Sequence, residues 1–165
     1  MTSISTPDLC DLHEAEPDAK LSVVEPMFLH YGGLKAFSGQ ISTVCCFEDN
    51  SKVAEKVKSP GEGKVLVVDG AASMRCSLLG DQLAAAAIKN GWAGILINGC
   101  LRDVEIIKPM PLGVMALASI PRKTVKAGQG ETDIEVSFAG TRFIPGYYLY
   151  ADETGILVAA KDLLG

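Results

Sequence analysis

Two short pairs stand out by residue type and spacing: Gly80-Asp81 and Arg102-Asp103, with residues 82–101, a gap of 20, between them. A glycine and an acid at a helix start leave free backbone N–H groups and the positive end of the helix dipole facing outward. A carboxylate or phosphate can dock there. An arginine offers a bidentate grip on a carboxylate or an enolate. A lone aspartate suits a water-rich Mg²⁺ or Mn²⁺ site, because Mg²⁺ keeps several of its waters. The plain alternative is that Asp81 is only an N-cap and Arg102-Asp103 only a surface turn. Short motifs leave both readings open.

The elements around these residues decide whether they can meet. KVLVVDG, Lys64 to Gly70, is a β-branched run ended by Asp-Gly. Gln82 to Lys89 is an alanine-rich helical segment stopped by Asn90-Gly91, and Gly94 to Asn98 is a second apolar run ended by Gly99. Strand, helix, strand is the simplest reading. Ligands of such α/β units bind beyond the strand ends. An anion cradle, a cation and an anion could therefore share one cleft.

The chain of 165 residues is expected to form one domain, residues 1–165, with a core large enough to fold alone. No apolar run reaches the ~18 residues of a membrane span. The polar, acidic start MTSISTPDLCDLHEAE lacks the basic and apolar regions of a signal peptide, so a cytoplasmic location is expected. The net charge of −5, with no basic cluster beyond Pro121-Arg122-Lys123, argues against direct nucleic-acid binding. An acidic surface could still meet a basic protein. The five cysteines are odd in number and show no Cys-x-x-Cys, which fits free thiols. Cys100, two residues before Arg102, reads as a small buried hydrophobe rather than a nucleophile. His13 and His30 lie far from the charged pairs and read as surface or interface residues, which disfavours a histidine-based zinc site.

Elsewhere, Thr6-Pro7 starts a helix to about Ala15, with Thr6 as N-cap. Leu21 to Met27 is an irregular or edge strand, and Ala36 to Phe47 a strand bent near Gly39. Glu48 to Ser51 reads as N-cap chemistry for a helix Lys52 to Lys58, or else brings Glu48 or Asp49 towards a neighbouring subunit. Arg75 could face the site or make a structural ion pair. Val104 to Lys108 is one helical turn, Gly113 to Ala118 a strand, and Pro121 to Gly130 a loop. The last third is antiparallel: Asp133 to Phe138, Thr141 to Ile144, Tyr147 to Ala151 and Ile156 to Ala159, with turns at Ala139-Gly140 and Asp152 to Gly155. The tyrosines of that third are expected in the core or an interface.

The residues SMRCSLLGDQLA, NGWAGILINGCLRDV and YLYADETGILVA resemble the RraA-like family, and the likeness runs from TPDLCD to the end. That family contains class II 4-hydroxy-4-methyl-2-oxoglutarate aldolases and the regulator of ribonuclease activity A. Its aldolase signature is the two pairs with their 20-residue gap. Members that act only as regulators tend to lack the Arg-Asp pair. Two departures stand out: Ala71-Ala72 replaces a more glycine-rich stretch, and Glu105-Ile106 stands where many members carry a second acid. The resemblance implies an α/β fold, a compact β/β/α sandwich like the phosphohistidine swivelling domain, with a central βαβ unit plus antiparallel strands. It also implies a homotrimer, in some members a hexamer, with the cleft between subunits.

The activity it implies is metal-dependent cleavage of 4-hydroxy-4-methyl-2-oxoglutarate, or of 4-carboxy-4-hydroxy-2-oxoadipate, to pyruvate products. Oxaloacetate decarboxylation through the same pyruvate enolate would be a side activity. By that likeness Asp103 holds Mg²⁺ or Mn²⁺ and Arg102 contacts the 2-oxo acid. Backbone N–H groups of Gly80, Asp81, Gln82 and Leu83 bind its carboxylate. The rival reading is a non-catalytic regulator that binds a ribonuclease. A quinone methyltransferase is disfavoured, because no glycine-rich loop for an adenosyl cofactor accompanies Gly80-Asp81.

Overall fold

The computed structural model describes residues 4–165. Alternation along the central strands decides the architecture. In β4 (Val65–Asp69), Leu66 and Val68 point to one core while Val65 and Val67 point to another. In β5 (Gly94–Leu101), Ile95 and Ile97 join the first core and Leu96 the second. A strand buried on both faces needs a layer on each side. One layer is helical: α2 (Ser51–Val57), α3 (Asp81–Lys89) and α4 (Val104–Ile107). The other is built from β8 (Val136–Phe138), β9 (Thr141–Phe143), β10 (Tyr148–Ala151) and β11 (Ile156–Ala159). The result is a β/β/α sandwich.

The sequence predicts one parallel crossover, and the structure holds three in succession. β3 (Phe37–Cys45), β4, β5 and β6 (Gly113–Ser119) pair in parallel, joined through α2, α3 and α4 in turn. The short α2 and α4 hide the repetition in the sequence. β3 belongs to two regions of the sheet. Residues 37–40 pair antiparallel with β10, and residues 41–45 pair parallel with β4. Gly39 lies where this handover occurs, and its α-carbon faces the Gly63 carbonyl so closely that a side chain has no room. β1 (Ser22–Val23) extends the sheet as an edge beside β11, and β2 (Leu29–His30), which the sequence does not signal, covers β6.

Other expectations shift at their ends. Ser5, not Thr6, caps α1 (Thr6–His13), its hydroxyl accepting from the Asp8 amide. Thr6 instead donates through its amide and hydroxyl to Asp152, both at 2.7 Å, which ties the first helix to the β10–β11 turn. Gly99 does not end β5. A bulge between Ile97 and Cys100 absorbs the irregularity, and pairing resumes through Leu101. The expected strand from Asp133 is broken, because Asp133 takes φ 59; β7 (Glu131–Thr132) joins β3, and β8 begins at Val136. Tyr150 is buried, its hydroxyl accepting from the Leu163 amide at 2.6 Å. Among the described residues, no helix is long and apolar enough to cross a membrane.

Gly94 and Gly113 face each other across β5 and β6, and the Phe37 ring lies over both. A methyl group on either glycine runs into that ring. Overpacking of this kind costs ~1–3 kcal/mol. Gly113→Ala is therefore expected to lower the urea midpoint, and adding Phe37→Leu is expected to recover part of the loss.

Candidate functional site

The 20-residue gap is closed by a short run of backbone pairing. After β4 the chain returns through residues 70–80 and lies beside the end of β5. The Leu78 amide donates to the Cys100 carbonyl at 2.9 Å, and the Arg102 amide to the Leu79 carbonyl at 3.0 Å. Gly80 follows in extended conformation as the N-cap of α3, and Asp81 is the first helical residue. Asp81 is thus not the cap that its residue type suggests. Asp103 supplies the missing acceptor. It adopts the left-handed conformation (φ 59, ψ 40), which aspartate tolerates better than most residues, just before α4. From there its Oδ2 accepts from the Asp81 amide at 3.1 Å.

The two pairs therefore meet. Arg102 Nε is 3.9 Å from Asp103 Oδ2, and Arg102 Nη1 donates to the Pro121 carbonyl at 3.4 Å. A β-carbon on Gly80 would come within 2.9 Å of Asp103 Oδ2 and 3.6 Å of Arg102 Nε, so only glycine leaves this corner open. One expectation changes. The Asp81 amide is occupied by Asp103, so of the four expected donors those of Gly80, Gln82 and Leu83 are left for a ligand.

Gly80, Asp81, Gln82, Leu83, Arg102 and Asp103 all line one cleft of about 700 Å³. It lies beyond the carboxyl ends of β4 and β5, where α/β folds place ligands. The donor set suits a hard, water-rich cation. Asp103 Oδ1 has no hydrogen bond within the described chain, Asp81 adds a second carboxylate in the same cleft, and no cluster of three ligating side chains competes among the described residues. Mg²⁺ is held by one or two carboxylates plus waters in such sites.

Other candidates fall away. Arg75 pairs with Glu48, its Nη2 to Oε1 distance 2.8 Å, and does not reach the cleft. Glu105 is exposed and also outside it. Cys100 is buried against Met74, its Sγ 3.5 Å from the methionine sulfur, and burial pushes its thiol up. His30 bonds the Asp152 carbonyl through Nε2 at 2.8 Å, remote from the charged pairs. Conversely, Asn50, Lys58, Ser77 and residues 123–126 line the cleft, although sequence reasoning did not place them there. The run PRKTVK was the available signal, but nothing in its spacing says where the loop folds.

The model of the RraA-like family, described as Aldolase/RraA, matches residues 6–158. The chain belongs to the RraA-like family. A relative from Xanthomonas campestris pv. campestris (strain B100) is 53% identical over 159 residues, covering 96% of this chain and 93% of its own. One from Ectopseudomonas mendocina (strain ymp) is 56% identical over 158 residues, covering 96% and 95%. Both carry the provisional name 4-hydroxy-4-methyl-2-oxoglutarate aldolase. Among solved structures, a protein of Geobacillus kaustophilus HTA426 described as an S-adenosylmethionine:2-dimethylmenaquinone methyltransferase superposes with a TM-score of 0.91. It is 48% identical, with 98% of each chain covered. The RNA-processing inhibitor RraA of Thermus thermophilis also gives 0.91, at 38% identity, covering 97% of this chain and 94% of its own.

In this RraA-like chain the loop that brings residues 123–126 to the cleft is held by the tripeptide Asp49-Asn50-Ser51. Asp49 Oδ2 accepts from the Ala127 and Gln129 amides at 2.9 and 3.1 Å, and Oδ1 accepts from the Ser51 amide and hydroxyl. Burial alone would push the Asp49 carboxyl up, but these bonds outweigh it and hold it at about 2. Because this lies below its ordinary 3.8, the stability it contributes is complete above that value and is lost as pH falls through about 2. Asp49→Asn is expected to lower stability at neutral pH. It should also flatten the loss between about pH 4 and pH 2, measured by urea denaturation across that range.

Proposed function

We propose that this chain is a divalent-metal-dependent aldolase that cleaves 4-hydroxy-4-methyl-2-oxoglutarate to two pyruvates, with the related 4-carboxy-4-hydroxy-2-oxoadipate as a second substrate. Oxaloacetate decarboxylation at the same site is a side activity. The observation that carries this reading is the Asp103 carboxylate at 3.1 Å from the Asp81 amide, with Arg102 beside it in an open cleft. Relatives more than 50% identical that carry the aldolase name support it.

Each residue has a stated task. Asp103, with Asp81 near, holds Mg²⁺ or Mn²⁺. When bound, the cation supplies Lewis-acid polarisation of the 2-oxo group. The Gln82 and Leu83 amides take the carboxylate next to that group, aided by the helix dipole. Arg102 sits where negative charge builds on the 2-oxo oxygen as the C3–C4 bond breaks, and donates to it. No lysine needs to react, so no Schiff base is invoked.

The working unit in this proposal is a homotrimer or hexamer. Phe47, Met74 and Val125 are apolar and 51–74% exposed, which a neighbouring subunit would relieve. Light scattering on the purified protein reads this directly. The likeness to the RNA-processing inhibitor favours one second reading, a regulator that binds a ribonuclease; a pull-down tests it independently of turnover.

With Mg²⁺, pyruvate release from the aldol substrate and from oxaloacetate is expected, and a chelator should abolish both. Arg102→Ala should lower kcat by roughly 10²–10³, the range for loss of one donor to a developing oxyanion. Asp103→Ala should lower it at least as far, with the fold intact by circular dichroism. Gly80→Ala, whose methyl group would press on Asp103, should depress activity without altering the net charge. Turnover indifferent to chelator and to all three substitutions would sink the mechanism.

A further inference from the structure

The three amides left for an anion at the start of α3 are not aimed by the same means. Gln82 and Leu83 lie inside the helix, so α3 itself sets the direction of their N–H groups. Gly80 is the N-cap, extended at φ −123 and ψ −173, and its N–H belongs to the peptide that precedes the helix. That N–H shares a plane with the Leu79 carbonyl. A trans peptide is flat, so whatever grips the carbonyl also points the amide, in the opposite direction. Glycine constrains its own backbone least, which leaves the aim to the neighbours.

Two donors grip the Leu79 carbonyl. The Arg102 amide donates to it at 3.0 Å and the Ser77 hydroxyl at 2.9 Å. A carbonyl oxygen has two lone pairs, and these bonds use both. One peptide earlier, Asn50 Nδ2 donates to the Leu78 carbonyl at 3.3 Å. Thr124 holds Asn50 in turn: its hydroxyl donates to Asn50 Oδ1 at 2.8 Å and accepts from the Asn50 amide at 3.2 Å. That reciprocal pair fixes which end of the Asn50 side chain faces Leu78. Asn50 stands at the N-cap of α2 yet makes no side-chain cap bond to it. Ser77, Asn50 and Thr124 line the cleft but are only 3%, 9% and 6% exposed, and their side chains bond backbone or one another.

We propose that Ser77 is a positioning residue that aims the Gly80 N–H at the carboxylate of a bound 2-oxo acid, and that Asn50 and Thr124 back it by fixing the preceding peptide. The ligand class rests on the aldolase reading; the hydroxyl clamp is an addition to it. The carboxylate next to the 2-oxo group keeps its charge as the C3–C4 bond breaks. A donor to it therefore stabilises ground state and transition state alike, and its loss appears in KM rather than in kcat.

The test pairs steady-state kinetics with the amide resonance of Gly80, followed in the full chain with Mg²⁺ as pyruvate is added. In the wild type, pyruvate is expected to move the Gly80 amide proton downfield. Ser77→Ala should shrink that shift and raise KM for 4-hydroxy-4-methyl-2-oxoglutarate roughly three- to tenfold, part of the value of a hydrogen bond to a charged group, with kcat held within about twofold. Thr124→Val, which replaces a hydroxyl by a methyl group of similar shape, should act in the same direction and more weakly. Thr124→Ser keeps the hydroxyl and should stay near wild type. A KM that Ser77→Ala leaves unmoved overturns the proposal, as does a raised KM with the full Gly80 shift, the mark of damage elsewhere. A wild type that cleaves no 2-oxo acid removes the aldolase reading alone. The pyruvate-induced shift in wild type and Ser77→Ala then decides this inference, and a Gly80 amide that pyruvate does not move overturns it.

Discussion

The hydrogen bond from the Asp81 amide to the Asp103 carboxylate is the contact on which the site depends. It caps α3 with a residue from a different element, so the helix start and the charged pair cannot drift apart. It orients Asp103 by one oxygen and leaves the other free. It also consumes one of the amides that would otherwise serve an anion, which leaves those of Gly80, Gln82 and Leu83. The geometry holds only because Gly80 has no β-carbon and Asp103 accepts a left-handed backbone. Aspartate at this φ combines a tolerable backbone with a carboxylate, which glycine would lack.

Around that contact, the sandwich acts as a frame. Three parallel crossovers bring the ends of β4 and β5 to one edge, and pairing of residues 78–79 with residues 100–102 extends the sheet into the site. The second β layer makes no contribution to the cleft lining. It supplies apolar cover: Phe143, Leu149 and Val158 bury the face of the parallel strands that the helices leave bare. A site whose functional groups come from loops can stay ordered when the strands beneath are buried on both faces.

The wall formed by loop 121–130 follows a different logic. Loop 121–130 has no regular structure and is exposed except at Thr124, yet the amides of Ala127, Gly128 and Gln129 are bound by Asp49 and Ser51. A carboxylate accepting several N–H bonds replaces the ladder that a strand would have given. The charge of Asp49 stays buried at little cost because it is fully engaged. Among the described residues, Lys123 and Lys126 of this loop line the cleft without an ion-pair partner.

The sequence by itself determined the local elements whose signals are short-ranged: the β4–α3–β5 unit, the helix start at Gly80-Asp81, the turn at Ala139-Gly140 and the hairpin closed by Asp152 to Gly155. Period, glycine and charge suffice there, since each depends on neighbours within a few residues. The family likeness and the two charged pairs were equally legible. What only the tertiary structure decided are relations between distant segments. Asp81 reads as a cap until Asp103 is seen to do the capping. Glu48 to Ser51 reads as helix chemistry until Asp49 and Asn50 are found holding a loop nearly eighty residues on. Gly99 reads as a strand end until the bulge carries β5 past it. Hydrogen-bond donors and acceptors are the same in every context, and burial alone selects which distant partner satisfies them.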